Sequence, residues 1–131
     1  SVLKTTDPGY YRWDWANDRA GEWVPVPPGA KIIEGVGAVT GATLRAASIS
    51  DPRVAAIMLT GETTTRYRRA MRRDPYYEPY WEIWAEQEQR HYAAQPTDLG
   101  GLIPTLRIDT TRLDAGQVVR RAYDFIAYYV E

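Results

Sequence analysis

The hydrophobic and polar positions divide the chain into short apolar runs alternating with longer periodic segments. The first thirty residues follow no period. Tyr10, Tyr11, Trp13, Trp15 and Trp23 lie among Asp7, Pro8, Gly9, Asn17 and Asp18. This stretch is expected to be aromatic and irregular, closed by Pro25, Pro27, Pro28 and Gly29. Lys31-Ile32-Ile33-Glu34-Gly35-Val36 is then an apolar run too short for a typical helix, which predicts a buried strand. Residues 41–48 suit a short helix, and Ser50-Asp51-Pro52 breaks the chain. Residues 53–59, Arg53 to Leu59, predict a second buried strand ended by Thr60-Gly61.

A helix is expected from Thr64 to Arg73, with Arg66, Arg69 and Arg73 on one face at i, i+3 and i+7. Asp74-Pro75 should end it, because proline holds its predecessor out of the helical region. Another helix follows Pro79, with Trp81, Trp84, Ala85, Glu88 and Tyr92 as its stripe. Leu106-Arg107-Ile108 suits a last strand. Asp114 and Gln117 then form a capping-box-like pair, with Leu113 and Val118 placed to staple across it. Val119, Ala122, Tyr123, Ile126 and Val130 supply the apolar face of the final helix. Apolar strands alternating with helices predict an α/β fold, a parallel sheet flanked by helices, in a single domain spanning 1–131.

Composition narrows the function classes. A chain of 131 residues buries a core without disulfides or metal. It has no cysteine, which removes a disulfide framework, a thiolate nucleophile and a thiolate zinc site. The net charge of −1 gives no global attraction to nucleic acid or anionic lipid. No run approaches the length of a membrane span and no signal peptide is recognised, so a cytoplasmic location is expected.

Of the 16 basic residues only Lys4 and Lys31 are lysine, and five arginines crowd into 66–73: Arg66, Arg68, Arg69, Arg72 and Arg73. Like charges at helical spacing repel, which a bound phosphate-like anion would relieve through bidentate bonds. The alternative is a solvated face partnered by Glu62, Asp74 and Glu78. Glu34, inside an apolar run, must be paired, metal-bound or neutralised. Tyr11-Arg12-Trp13-Asp14-Trp15 places one acid between aromatic walls that suit a base or sugar, the alternative being aromatic residues packed on a small sheet. Glu88 is placed to clamp an arginine of the preceding helix, and His91 has no catalytic companion. The phosphate-loop pattern G-x-x-x-x-G-K-[ST], the dinucleotide G-x-G-x-x-G and the zinc H-E-x-x-H do not occur.

Several segments together resemble the uridine-kinase-like P-loop nucleotide kinases of actinobacterial type. They are Tyr11-Arg12-Trp13-Asp14-Trp15, Glu22-Trp23-Val24 and Ile33-Glu34-Gly35-Val36-Gly37-Ala38, then Arg66, Arg69, Arg73-Asp74, Tyr77-Glu78-Pro79-Tyr80-Trp81 and Trp84-Ala85-Glu86-Gln87-Glu88. The resemblance covers roughly residues 10–99. It implies transfer of the ATP γ-phosphoryl group, with Mg2+, to a hydroxyl of a nucleoside or other small molecule. In that scheme Arg66, Arg69 and Arg73 are catalytic lid arginines. Tyr11, Trp13, Asp14 and Trp15 bind the acceptor, and Glu34 is the acid near the metal. The family's first strand and phosphate loop have no counterpart here, so the chain is expected to be the carboxyl-terminal part of such a fold, inactive alone. A non-catalytic binding or homo-oligomeric assembly module is the rival reading, with Tyr123, Tyr128 and Tyr129 as interface material.

Overall fold

A computed structural model describes residues 8–50, 53–94, 101 and 103–130, with residues 49, 50 and 130 described by backbone alone. The expected break at Asp51-Pro52 and the last residues of the resemblance, 95–99, lie outside it. The element order is β1 (Gly9–Asp14), β2 (Arg19–Pro25), α1 (Gly41–Ser50), β3 (Ala56–Thr60), α2 (Thr63–Arg73), a 3-10 helix (Pro75–Tyr80), α3 (Trp81–Ala93), β4 (Thr105–Asp109) and α4 (Ala115–Val130).

β3 and β4 pair in parallel, Ala56 opposite Thr105 through Thr60 opposite Asp109. The architecture is therefore mixed α/β, with a small parallel sheet flanked by helices, and the parallel sheet has two strands. Its core is Leu44 of α1 against Ala56, Met58 and Ile103, with Val39 and Val54 packed on the rim. Among the described residues Ile108 is the most deeply buried large side chain.

Two expectations are overturned here. The aromatic amino-terminal stretch is an antiparallel hairpin, with Tyr11 opposite Trp23 and Asp14 opposite Arg19. Its aromatic residues occur on both faces, which hides the strand alternation in the sequence. Residues 31–36 are not a buried strand: Ile32 is 95% exposed, Ile33 55% and Val36 54%. Their apolar character has no described strand to pair with, because β3 bonds only β4.

The helices follow local chemistry closely. Asp74 adopts extended dihedrals before Pro75, ends α2 and accepts from the Tyr76 amide at 3.0 Å. In α4 the capping box forms reciprocally. The Gln117 amide donates to Asp114 Oδ1 at 2.8 Å, and the Asp114 amide donates to Gln117 Oε1 at 3.0 Å. The covered stripe of α4 is rotated from the expected one. Val118, Ala122 and Phe125 are half-buried, whereas Val119 and Tyr123 are 66% and 65% exposed. The apolar arc of α4 is wider than the stripe that is covered, and α4 contacts β4. The Val130 side chain lies outside the described residues.

Candidate functional site

The carboxyl ends of β3 and β4 lie side by side and carry a dense polar network. The Thr110 amide and hydroxyl both donate to the Thr60 carbonyl, each at 2.8 Å. The Glu62 amide donates to the Thr111 hydroxyl at 3.0 Å, and that hydroxyl donates to Asp109 Oδ1 at 2.6 Å. The Thr111 amide reaches the same oxygen at 2.9 Å. The Thr111 hydroxyl bond, followed by the amide bond, holds the Asp109 carboxyl below its ordinary range, with Arg112 contributing. Gly61 fits where a Cβ would come within 3.1 Å of the Thr110 hydroxyl. This crest is where open parallel sheets collect ligands.

Helix α2 begins directly after it. Arg69 spans the gap between the two strand exits. One guanidinium nitrogen donates to the Thr110 hydroxyl at 3.1 Å, and the other donates to the carbonyls of Thr110 at 2.9 Å and Leu113 at 3.0 Å. The planar fork is the feature that makes three bonds with one side chain. Arg66 forms an ion pair with Glu88 of α3 and lies over the Trp81 ring, its Cζ 5.8 Å from the centroid. Arg73 lies over Tyr77 at 6.0 Å. The three arginines of the α2 face thus each make their own set of protein contacts. The expected clamp of an α2 arginine by Glu88 is present.

Between α2 and α3 the aromatic residues pack in two groups. Tyr67 meets Trp81 edge-on at 5.4 Å, Tyr77 meets Trp84 at 4.6 Å, and Tyr80 stacks on Trp84 at 5.3 Å. The Tyr67 hydroxyl donates to Glu78 at 3.3 Å, and the Glu78 charge raises the phenol above its usual range. An open groove of about 790 Å³ is lined by Tyr67 and Trp81 together with Thr63, Thr64, Arg68 and Glu82. His91 meets the Tyr92 ring edge-on at 5.6 Å.

The acceptor-side residues sit on the hairpin. Trp13, Asp14 and Trp15 line a shallow cleft of about 410 Å³ with Arg12, Gly21 and Glu22. Tyr11 packs edge-on against Trp23 at 5.0 Å instead, outside that lining. Asp14 is engaged in its own turn. It accepts the Asn17 side-chain amide at 2.8 Å and the amides of Ala16 and Asn17 at 3.2 and 3.3 Å. The Asn17 side-chain bond is the main cause of its lowered pKa, ahead of the two backbone bonds. Asp14 thus shapes the turn that carries Trp15, which is 86% exposed.

Glu34 lies in the exposed segment and not at a strand end, so the burial that singled it out in the sequence is lifted. Among the described residues no three His, Cys, Asp or Glu side chains gather where they could share a metal ion. Glu34 alone offers one carboxylate, a single member of the oxygen set that magnesium requires. No helix among the described residues is long and apolar enough to cross a membrane.

Sequence reasoning missed Asp109, Thr110 and Thr111. The signal was an acid and two hydroxyl residues at the end of a strand, the composition that bonds its own backbone. No protein family, curated protein or solved structure matches this chain.

Proposed function

We propose that this chain is the lid-and-acceptor part of a P-loop-kinase-like phosphotransferase. The full enzyme would move the ATP γ-phosphoryl group, with Mg2+, to a hydroxyl of a nucleoside or other small molecule. The observation that carries the reading is the start of the arginine-bearing helix α2 at the carboxyl ends of a parallel strand pair, tied there by Arg69. Phosphoryl transfer needs positioned positive charge more than covalent chemistry. In this scheme Arg69 is spent on placing α2, while Arg66 and Arg73 keep guanidinium donors for phosphate oxygens. Trp13, Asp14 and Trp15 would receive the acceptor, and Glu34 would contribute one oxygen to the magnesium ion.

The chain holds no phosphate-loop sequence, so alone it is expected to show no turnover. The test is thermal stabilisation of the purified chain by pyrophosphate and by ATP with magnesium. Stabilisation that shrinks in Arg73→Ala and Arg66→Ala, and weakens with salt, supports the reading. Stabilisation indifferent to both substitutions sinks it.

A second reading, a non-catalytic binding or assembly module, is favoured by the aromatic surface. Trp15, Tyr76, Tyr123 and Tyr128 are 86%, 88%, 65% and 79% exposed. Tyrosine and tryptophan on a surface are typical interface anchors. A stable oligomer with no response to either anion would select this reading.

A further inference from the structure

The groove between α2 and α3 joins aromatic surface to acid that no cation neutralises. Its volume of about 790 Å³ falls within the roughly 300–1,000 Å³ of small-molecule sites. Tyr67 and Trp81 line it, their rings 5.4 Å apart and inclined at 73°. Two rings at such an angle make a corner, the element from which aromatic cages for cations are made. Ile83 adds apolar lining and is 56% exposed.

Charge sets the sign of the occupant. Glu78 and Glu82 line the groove against one cation, Arg68. The Arg68 guanidinium donates to the Thr65 hydroxyl of its own helix at 3.3 Å. Glu78 accepts from the Tyr67 hydroxyl and has no ion pair among the described residues. The Glu82 side chain makes neither a hydrogen bond nor an ion pair among the described residues. The Glu78 charge is the largest cause of the raised Tyr67 phenol, and no arginine is among the causes. The field at the aromatic corner is therefore negative.

The chain also shows which cation this chemistry holds. The Arg66 guanidinium lies over the same Trp81 ring, 5.8 Å from its centroid, and pairs with Glu88. Ring and carboxylate together receive a guanidinium there. The groove offers that combination a second time. Being open to water, it suits a guanidinium better than an ammonium, which is strongly hydrated and does not stack flat. A methylene stem behind the charge would cover Ile83.

We propose that this groove binds a small molecule bearing a guanidinium group, seated on the Tyr67–Trp81 corner and paired with Glu78 and Glu82. The groove shares no lining residue with the hairpin cleft. Its occupant does not depend on the phosphoryl-transfer reading.

The test is an NMR titration of the full chain with N-acetylarginine amide, whose one charge is the guanidinium. The Trp81 indole and Tyr67 ring signals should shift saturably at millimolar probe, less so at high salt. The uncharged N-acetylcitrulline amide should leave them in place, and N-acetyllysine amide should bind more weakly. Glu82→Gln changes an exposed side chain without a partner, so the fold should stand, as circular dichroism would report. It should weaken the arginine probe by about two- to fivefold, the range of an exposed ion pair. Glu78→Gln should weaken it similarly and bring the Tyr67 phenol back towards its usual value. The proposal is overturned if neither signal shifts saturably, or if the citrulline or lysine probe binds as tightly as the arginine probe. An affinity unchanged in Glu82→Gln overturns it as well. So does inorganic phosphate moving these signals where the arginine probe does not.

Discussion

Replacing Arg69 by alanine removes three hydrogen bonds at once, those to the Thr110 hydroxyl, the Thr110 carbonyl and the Leu113 carbonyl. Each such bond is worth about 0.5–1.5 kcal/mol net, and charged donors stand towards the upper end. Arg69 itself is exposed, so water replaces part of what is lost and the lower half of the range applies. The expected cost is about 1.5–3 kcal/mol, a large share of the roughly 5–15 kcal/mol that holds a domain together. Arg69→Lys keeps the charge but not the fork and should recover less than half. Arg72→Ala, also exposed on α2, is the control and should stay within about 0.5 kcal/mol. Urea unfolding measures all three at a common slope. Amide exchange at Thr110 and Leu113 should quicken in Arg69→Ala alone. If Arg69→Ala is no worse than Arg72→Ala, the fork does not join the strand exits, and the placement of α2 needs another cause.

Other consequences follow from the same geometry. Asp114→Ala breaks the α4 capping box and should cost about 1 kcal/mol in urea unfolding, with fraying confined to the first turn of α4. The Asp109 pKa is lowered on folding, so its contribution is complete above the unfolded value near 3.9. It is lost as pH falls through the depressed folded value. A carboxyl titration by NMR should place Asp109 below an ordinary aspartate, and Thr111→Val should move it back up. An unchanged midpoint in Thr111→Val would refute the hydroxyl as the main cause. Phe125→Ala should destabilise α4 by about 2 kcal/mol, because Phe125 belongs to the half-buried stripe.

What the residues disclosed depended on the range of the forces involved. The capping pair at 114 and 117, the stop at Asp74-Pro75 and the clamp of Arg66 by Glu88 rest on contacts within one or two elements, and all three form. β3 was legible because its apolar run is continuous, and β4 because Leu106 and Ile108 flank Arg107 as apolar positions. The fate of residues 31–36 was not, because a strand exists only with a neighbour and no pattern within the segment supplies one. The hairpin was hidden for the opposite reason. Its pairing is local, but aromatic residues on both faces erase the alternation. In α4 the sequence showed a broad apolar arc, and only the docking on β4 decided which part is covered. At the candidate site, the arginine face was visible and its partners were not. Thr110 and Leu113 lie more than forty residues on, after β4, so only the assembled chain brings them within reach of Arg69, whereas Tyr77 is a local neighbour of Arg73.

The spacing of the two sheets sets an order of events in time. In the hairpin, Asp14 and Arg19 are five residues apart, so β1 and β2 can meet within about 1–10 μs of being available. Ala56 and Thr105 are 49 residues apart, and everything from α2 to α3 lies between them. On a ribosome adding about 5–20 residues per second, β3 waits on the order of 2–10 s for its partner. Both of its edges stay open through that interval. The α2–α3 pair, whose ion pair and ring contacts are comparatively local, can settle first and leave Arg69 in place to receive Thr110 and Leu113 as they arrive. The long connection thus makes the arginine helix a waiting surface for β4, and the age of the nascent chain decides which of its strand edges is exposed.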